Sequence, residues 1–504
     1  MAAHSNDGSG DVAANLERVP AASWTLPQQR AVSGGSIPQV KHTFADFTKV
    51  GGYASMNEHQ VGLAESTCAG VFTGNRSAAK LNVVDLSALG LERARTAREA
   101  VLTMGALAES FGYYDDAESL LVIDPTEAFI FHVLPDDTGA SAIWIAPRVP
   151  EDHVGVVANS FTVRVVDFGK AGLFLFSENM RLVAQRNGRW HPGEPFDFTR
   201  IFAGPEPGRK YYSGRRMWAA FGRLAPAAAK DLSPDYVNYV TSVPYPATLP
   251  SKQVNLTDMM ETMRNYYQDT KFDMRHGMAA GPFGTPDRVF AGKGNKEVAG
   301  SWERTIATQK SILSYVLVAR PLLPSPVGGV EWLGMHAAHT TLYVPFPLGM
   351  LSPQGLQVPL PEGYTTNDLN RVGRGVGAVN AARFVFNAAQ LRFDAAIEDV
   401  REGQRLWEQD KGMQLLKRTE EDYLNGKVNL TGLTSRFCDH AVEAVAAWWE
   451  MSDQINLKYG DTCKLGYPAW WLRSPSVDYA GGPPPSPRVP PLHIEVVDRP
   501  TLRI

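Results

Sequence analysis

Four positions carry side chains whose type and setting suit chemistry. Asp7 sits in Ser5-Asn6-Asp7-Gly8, where Asn, Asp and Gly make an ordinary turn and also place a carboxylate at its corner. Asn159 is an amide inside the apolar run Val156-Val157-Ala158-Asn159-Ser160-Phe161. Its four hydrogen-bonding valences must be met there, either by structural partners or by a ligand. Arg304, in Ser301-Trp302-Glu303-Arg304-Thr305-Ile306, opens an expected strand and could hold an anion or make a surface ion pair. Cys68 ends a strand-like segment that also carries His59 and Glu65, so a cysteine–histidine nucleophile pair is conceivable; a buried, inert cysteine is the other reading.

Other patterns carry less. Gly373-Arg374-Gly375-Val376-Gly377 follows no clear strand and lacks the full spacing of a phosphate-binding loop. The three cysteines, Cys68, Cys438 and Cys463, are too few and too far apart for a disulfide framework. None has the spacing of a metal ligand, so neither a metal nor another cofactor is expected. Asn75-Arg76-Ser77, Asn255-Leu256-Thr257 and Asn429-Leu430-Thr431 fit the glycosylation acceptor pattern, one that chance often produces. A net charge of −4, with no cluster of Lys and Arg among aromatics, argues against a nucleic-acid partner. No run approaches about 18 consecutive apolar residues, and the first thirty residues lack a signal-peptide pattern, so no membrane partner is expected and the chain reads as soluble. A signal peptide upstream of Met1 and a homo-oligomer both stay open.

With 44% apolar and 20% charged residues, the 504-residue chain can bury a large core. Residues 1–5 read as a strand of small residues running straight into the Asp7 turn. Residues 51–68 read as a hairpin turning at 57–60, and residues 89–111 as one amphipathic helix. Strands are expected at 119–124, 127–133, 142–146 and 154–166, then at 306–319 and 340–344. Helices are expected over 383–407 and over 439–457, the latter capped by Asp439. A single domain over 1–480 precedes a proline-rich, extended tail over 481–504. Strands grouped before late helices favour an α+β arrangement of antiparallel sheets over a doubly wound parallel sheet.

Several segments, in order along the chain, resemble the PepD-like cysteine dipeptidases, a branch of the N-terminal nucleophile (Ntn) hydrolases to which the secernins are related. They are Ala3-His4-Ser5-Asn6-Asp7-Gly8, Val19-Pro20-Ala21, Ser36-Ile37-Pro38-Gln39-Val40, the stretch from Met56 to Thr67, Val157-Ala158-Asn159-Ser160-Phe161, the stretch from His276 to Pro286, and Trp302-Glu303-Arg304-Thr305-Ile306. The resemblance implies a four-layer αββα sandwich, two antiparallel sheets flanked by helices. It also implies hydrolysis of dipeptides through a thioester on an N-terminal cysteine, whose own α-amine is the base. Asp7 would hold that amine, Asn159 would help bind the oxyanion, and Arg304 would depress the thiol pKa or hold a carboxylate. Where related bile-salt and penicillin amidases place an arginine beside the Asp turn, this chain has His4; where they place an oxyanion asparagine, it has Ser66-Thr67. His4, Thr67 and Glu65 are therefore expected in substrate binding, with Glu65 meeting a substrate's free amine.

In that family the strand holding Asp7 follows a strand that begins at the cysteine. A strand and turn of roughly 10 to 20 residues, absent from the sequence, are therefore expected upstream of Met1, and the sandwich lacks its first strand. The competing reading is a catalytically inactive, secernin-like binding or interaction protein that keeps the fold without the nucleophile.

Overall fold

The computed structural model describes residues 1–7, 15–23, 28–40, 45–170, 172–205, 211–235, 246–277, 280–287, 304–352, 355–365 and 377–461. Its strands, in chain order, are β1 (Ala2–Asp7), β2 (Leu16–Val19), β3 (Gln29–Val32), β4 (Gly35–Pro38), β5 (Phe47–Val50), β6 (Tyr53–Asn57), β7 (Gly62–Cys68), β8 (Ala117–Ile123), β9 (Ala128–Pro135), β10 (Ala142–Pro147), β11 (His153–Gly155), β12 (Phe174–Phe176), β13 (Thr248–Pro250), β14 (Ser311–Val318), β15 (Val330–Met335) and β16 (Tyr343–Pro347). One antiparallel sheet has the order β1-β14-β15-β16 and a larger one the order β12-β10-β9-β8-β7-β6-β5-β2; β11-β13 and β3-β4 form separate pairs. The class is mixed α+β.

The central strands of the large sheet read as near-continuous apolar runs because both of their faces are covered. On one face Leu63, Leu120, Val122, Phe129 and Phe131 pack under the helices Val83–Arg93 and Ala97–Phe111. Gly105 of the second helix lies so close to Trp144 that an added Cβ would stand 2.3 Å from the indole. The small sheet meets the large one: a Cβ on Gly62 would stand 2.9 Å from Leu317 Cδ1, and the Tyr315 hydroxyl donates to the Leu63 carbonyl at 3.0 Å. Between these sheets the buried Glu331 carboxylate of β15 accepts from the hydroxyls of Thr48 and, at 2.9 Å, Ser55. The other face of the small sheet packs Val316, Val330 and Trp332 against Met260 and Met263 of the helix Leu256–Met263. The helices Ala378–Gln390 and Leu430–Tyr459 share a core with Leu333 and Val344.

Two strand edges stay largely unpaired and face each other. β1 pairs only with β14, from Ala2↔Leu317 to Asp7↔Ser311, and a bulge at Asn6/Asp7 re-aims the Asp7 side chain. Among the described residues its other edge carries no strand. β7 meets β6 only at Met56↔Gly62, so the rest of that edge opens toward β1.

Several elements differ from the sequence-based expectation. The helix expected over 89–111 is two helices, because Asn57 Nδ2 takes the carbonyls of Leu91 and Ala94 at 2.9 and 2.8 Å, ending the first before Thr96 caps the second. The strand expected over 154–166 is realised only as β11; the remainder is irregular, its apolar residues Phe161, Val163 and Val166 buried in a separate cluster. Arg304 does not open a strand, since β14 begins at Ser311. The helix expected over 383–407 breaks after Gln390 and resumes as Phe393–Gln404, followed by a π-helical stretch Arg405–Met413. The last helix begins at Leu430, capped by Asn429 through the Gly432 N–H at 2.9 Å, and Asp439 lies inside it. The 57–60 turn and the strands around residues 119–146 stand where expected, while β1 runs on through Asn6 and Asp7, which the sequence reading placed in a turn. Gly8, Met278, Ala279, residues 301–303, Gly373 to Val376, Cys463 and the whole tail beyond residue 480 lie outside the described residues. No helix among the described residues is long and apolar enough to cross a membrane.

Candidate functional site

A cavity of about 910 Å³ opens beside β1. Residues 1–7 form one wall, and Glu65, Ser66 and Thr67 from the open edge of β7 form a second. The loop around Asn159 and the helix Gly214–Leu224 complete it, the helix presenting Arg216, Ala220 and Leu224 at one-turn spacing. Six of the residues singled out from the sequence, His4, Asp7, Glu65, Thr67, Asn159 and Arg304, line this one space, and Cys68 does not. They come from positions nearly three hundred residues apart in the chain, and only the fold brings them together.

Asp7 and Arg304 form an ion pair, Oδ2 to Nη1, at 2.5 Å, and Ser311 Oγ donates to the other Asp7 oxygen at 3.3 Å. Arg304 is buried, and its Nη1 also donates to the Tyr212 hydroxyl at 3.3 Å. The surface ion pair read as an alternative from the sequence is therefore not what forms. Asp7 keeps carboxylate lone pairs free at the cavity wall, the property needed to hold an ammonium or amine.

Asn159 is not in a strand but in the left-handed region, φ 55°, which Asn adopts more readily than most residues. Its backbone N–H donates to Ser66 Oγ at 3.0 Å, its Nδ2 donates to the Thr67 carbonyl at 2.7 Å, and its Oδ1 accepts from Arg216 Nη2 at 2.9 Å. With the oxygen fixed on the guanidinium, the amide nitrogen has one hydrogen left to offer. That leaves a preorganised donor at the wall of a recessed site.

Next to Asn159, Thr67 Oγ1 donates to Glu65 Oε1 at 2.9 Å, and the His4 ring nitrogen lies 4.0 Å from Glu65. Burial lowers the His4 pKa below its ordinary value, outweighing the pull of Glu65 and Asp7, so the imidazole is neutral near pH 7. Behind Glu65, burial and then the Glu65 charge push the Glu118 carboxyl well above the usual carboxylate range, so it retains its proton. The negative charge here belongs to Glu65.

Cys68 stands apart. Thr162 N–H can only donate, so at 3.1 Å it fixes His132 Nε2 as the acceptor and leaves the ring proton on Nδ1, 2.6 Å from Ser119 Oγ. The serine hydroxyl therefore points to Cys68 Sγ at 3.1 Å, and the thiol can donate to the Ser66 carbonyl at 3.3 Å. Burial drives the His132 pKa down to about 3, and Cys68 does not line the cavity. His59 lies at the other end of the hairpin. The ring proton of His132 faces Ser119 rather than the thiol, and the buried cysteine lies off the cavity, which favours the inert reading.

Sequence reasoning missed Arg216 and Tyr212. Arg216 is buried, donates from Nε to the Tyr212 carbonyl at 2.8 Å, and stacks over the Tyr212 ring at 4.4 Å, while Arg304 lies 5.7 Å from the same ring. Two neighbouring arginines within Gly214–Leu224, a helix otherwise rich in apolar residues, were the available signal. The three asparagines of the N-x-Ser/Thr triplets each use their side-chain oxygen locally, Asn255 and Asn429 as helix caps and Asn75 in a turn to Ser77 N–H.

Residues 18–385 match the family model described as "Peptidase family C69". Among curated proteins, a "Probable dipeptidase" of Latilactobacillus sakei is 20% identical over 316 residues, 62% of this chain and 60% of the relative. A "Probable dipeptidase" of Salmonella dublin is 23% identical over 361 residues, 68% of this chain and 74% of the relative. A "Probable dipeptidase A" of Streptococcus pyogenes is 24% identical over 266 residues, 52% of this chain and 50% of the relative. The chain thus spans between half and three quarters of the length of these relatives.

Proposed function

Because the chain belongs to peptidase family C69, we propose that its cavity is the substrate site of a cysteine dipeptidase of the Ntn-hydrolase type, built on an αββα sandwich. The observation that carries this reading is the convergence of Asp7, Asn159, Arg304, Glu65, Thr67 and His4 on one cavity beside the unpaired edge of β1. Among the described residues no cysteine lines that cavity. In this reading the nucleophile is a cysteine outside the described residues.

The chemistry then follows from the walls. The cysteine sulfur attacks the scissile carbonyl carbon while its α-amine, held by Asp7, takes the thiol proton. The carbonyl oxygen becomes an oxyanion and accepts from the remaining Asn159 Nδ2 hydrogen. As the C–N bond breaks, the amine returns that proton to the departing amino acid, leaving a thioester; water adds to it, and the second amino acid departs with regeneration of the thiol. Glu65 meets the substrate's ammonium group, and the ion pair with Arg304 keeps the Asp7 carboxylate aimed.

The test compares hydrolysis of a dipeptide panel by the 504-residue product and by a product extended with the in-frame coding sequence upstream of Met1. Activity in the extended product, abolished by replacing its new cysteine with Ser and reduced at least a hundredfold by Asp7→Asn, is expected. An extension that contains no cysteine, or an extended product that binds dipeptides without cleaving them, refutes the peptidase reading in favour of a binding protein of the same fold.

A further inference from the structure

Four arginines are buried among the described residues: Arg215, Arg216, Arg264 and Arg304. Three have a carboxylate: Arg215 meets Asp235 at 3.1 Å, Arg304 meets Asp7 at 2.5 Å, and Arg264 meets Glu408. Among the described residues Arg216 has none within ion-pair distance. Its acceptors are all neutral: the Tyr212 carbonyl from Nε, and Asn159 Oδ1 and the Ala158 carbonyl from Nη2. Its Nη1 makes no hydrogen bond to them, and the residue lines the cavity while being only 7% exposed. A guanidinium removed from water costs several kcal/mol unless an anion compensates it. The neighbouring Arg304 adds to the cost, and the one carboxylate nearby, Asp7, is already paired. Loss of solvent and the Arg304 charge lower the Arg216 pKa to about 10, so it remains a cation at neutral pH.

The cavity wall therefore carries groups of both signs. The Glu65 carboxylate stands beside His4; Arg216 and Arg304 flank Tyr212, beside Asp7. Asn159 links the two, its Nδ2 donating to the Thr67 carbonyl at 2.7 Å and its Oδ1 accepting from Arg216 Nη2 at 2.9 Å, so one side-chain amide separates Arg216 from the strand that carries Glu65. A carboxylate and an unpaired guanidinium on one cavity suit a small molecule that carries both an ammonium and a carboxylate, as a dipeptide does.

We propose that Arg216 Nη1 is the binding group for the C-terminal carboxylate of the substrate, making it the residue that restricts this site to dipeptides. The inference rests on the dipeptidase reading and adds to it the group that recognises the far end. A third residue would add about 3.5 Å and carry its carboxylate past the guanidinium. A peptide amide offers the same backbone without the charge.

The test measures dissociation constants of the 504-residue chain by calorimetry for L-alanyl-L-alanine, L-alanyl-L-alaninamide and acetate. The chain is expected to bind the dipeptide at least about tenfold tighter than the amide, the effect of roughly 1.4 kcal/mol from one charge-assisted contact, and acetate far more weakly than either. Arg216→Gln should reduce the acid-over-amide preference to less than twofold while leaving amide binding within about threefold, and Arg216→Lys should keep part of the preference. Equal binding of acid and amide by the unmodified chain, a measurement that needs no variant to fold, overturns the assignment. So does a preference that survives Arg216→Gln, or acetate binding as tight as the dipeptide; in each of those cases dipeptide binding itself stands. A chain that binds neither peptide overturns the Arg216 assignment, while the peptidase reading is decided separately by the extended product.

Discussion

Replacing Glu331 by Gln should remove about 3 kcal/mol of pH-dependent stability loss. Glu331 is 1% exposed and lies between the two sheets, where its carboxylate accepts from the Thr48 and Ser55 hydroxyls. Burial outweighs those two hydrogen bonds and raises its pKa from 4.5 to about 7. The gap from 4.5 to about 7, at about 1.36 kcal/mol per pH unit, amounts to about 3 kcal/mol. The folded pKa exceeds the unfolded one, so the folded state binds the proton more tightly. The associated stability is fully present below pH 4.5 and disappears as pH rises through about 7, beyond which both states are ionised and the slope vanishes. Urea unfolding of the parent and of Glu331→Gln from pH 4.5 to 8 measures this directly. The parent should lose about 3 kcal/mol more than the variant across that window. Glu118 titrates with the same sign, but it is present in both proteins and cancels in the difference. Parallel stability–pH curves for the two proteins would show that the cleft between the sheets stays wet enough to solvate the carboxylate, and the reasoning would fall.

Two further substitutions test the scaffold. Asn57→Ala leaves the carbonyls of Leu91 and Ala94 and the N–H groups of His59 and Val61 without their shared partner, so unfolding free energy should drop by about 2 to 4 kcal/mol, with loss of helical signal near the break between the first two helices. Gly105→Ala drives a methyl group into the Trp144 indole; a loss of about 1 to 3 kcal/mol and a changed near-ultraviolet dichroism of tryptophan are expected, and an unperturbed spectrum would mean the helix can slide away from the sheet.

Much of the site was legible because its residues carry types that a core does not need. Asp7 in its turn, Asn159 among apolar neighbours and Arg304 each stood out by chemistry, and the resemblance ordered them. Their backbone settings were less legible. The run from Val154 to Val166 announced burial, and burial was mistaken for a strand; Asn159 takes a left-handed backbone and the residues after it fill a cluster with Phe196, Phe198 and Phe202 instead of a ladder. The break between the helices Val83–Arg93 and Ala97–Phe111 depends on Asn57, far away in sequence, though Thr96 and Glu99 gave a local sign of a new helix start. Arg216 escaped notice because an arginine in a helix is usually solvated, and nothing local distinguishes one whose charge the fold buries.

The helix Gly214–Leu224 gives the cavity an adjustable dimension. Ala220 lies one turn, about 5.4 Å, below Arg216 on the face that lines the chamber, and Leu224 lies one turn further. Ala220 is only 4% exposed, so a larger side chain there narrows the chamber while displacing what it packs against, and an uncharged helix position rather than a charged group sets that dimension.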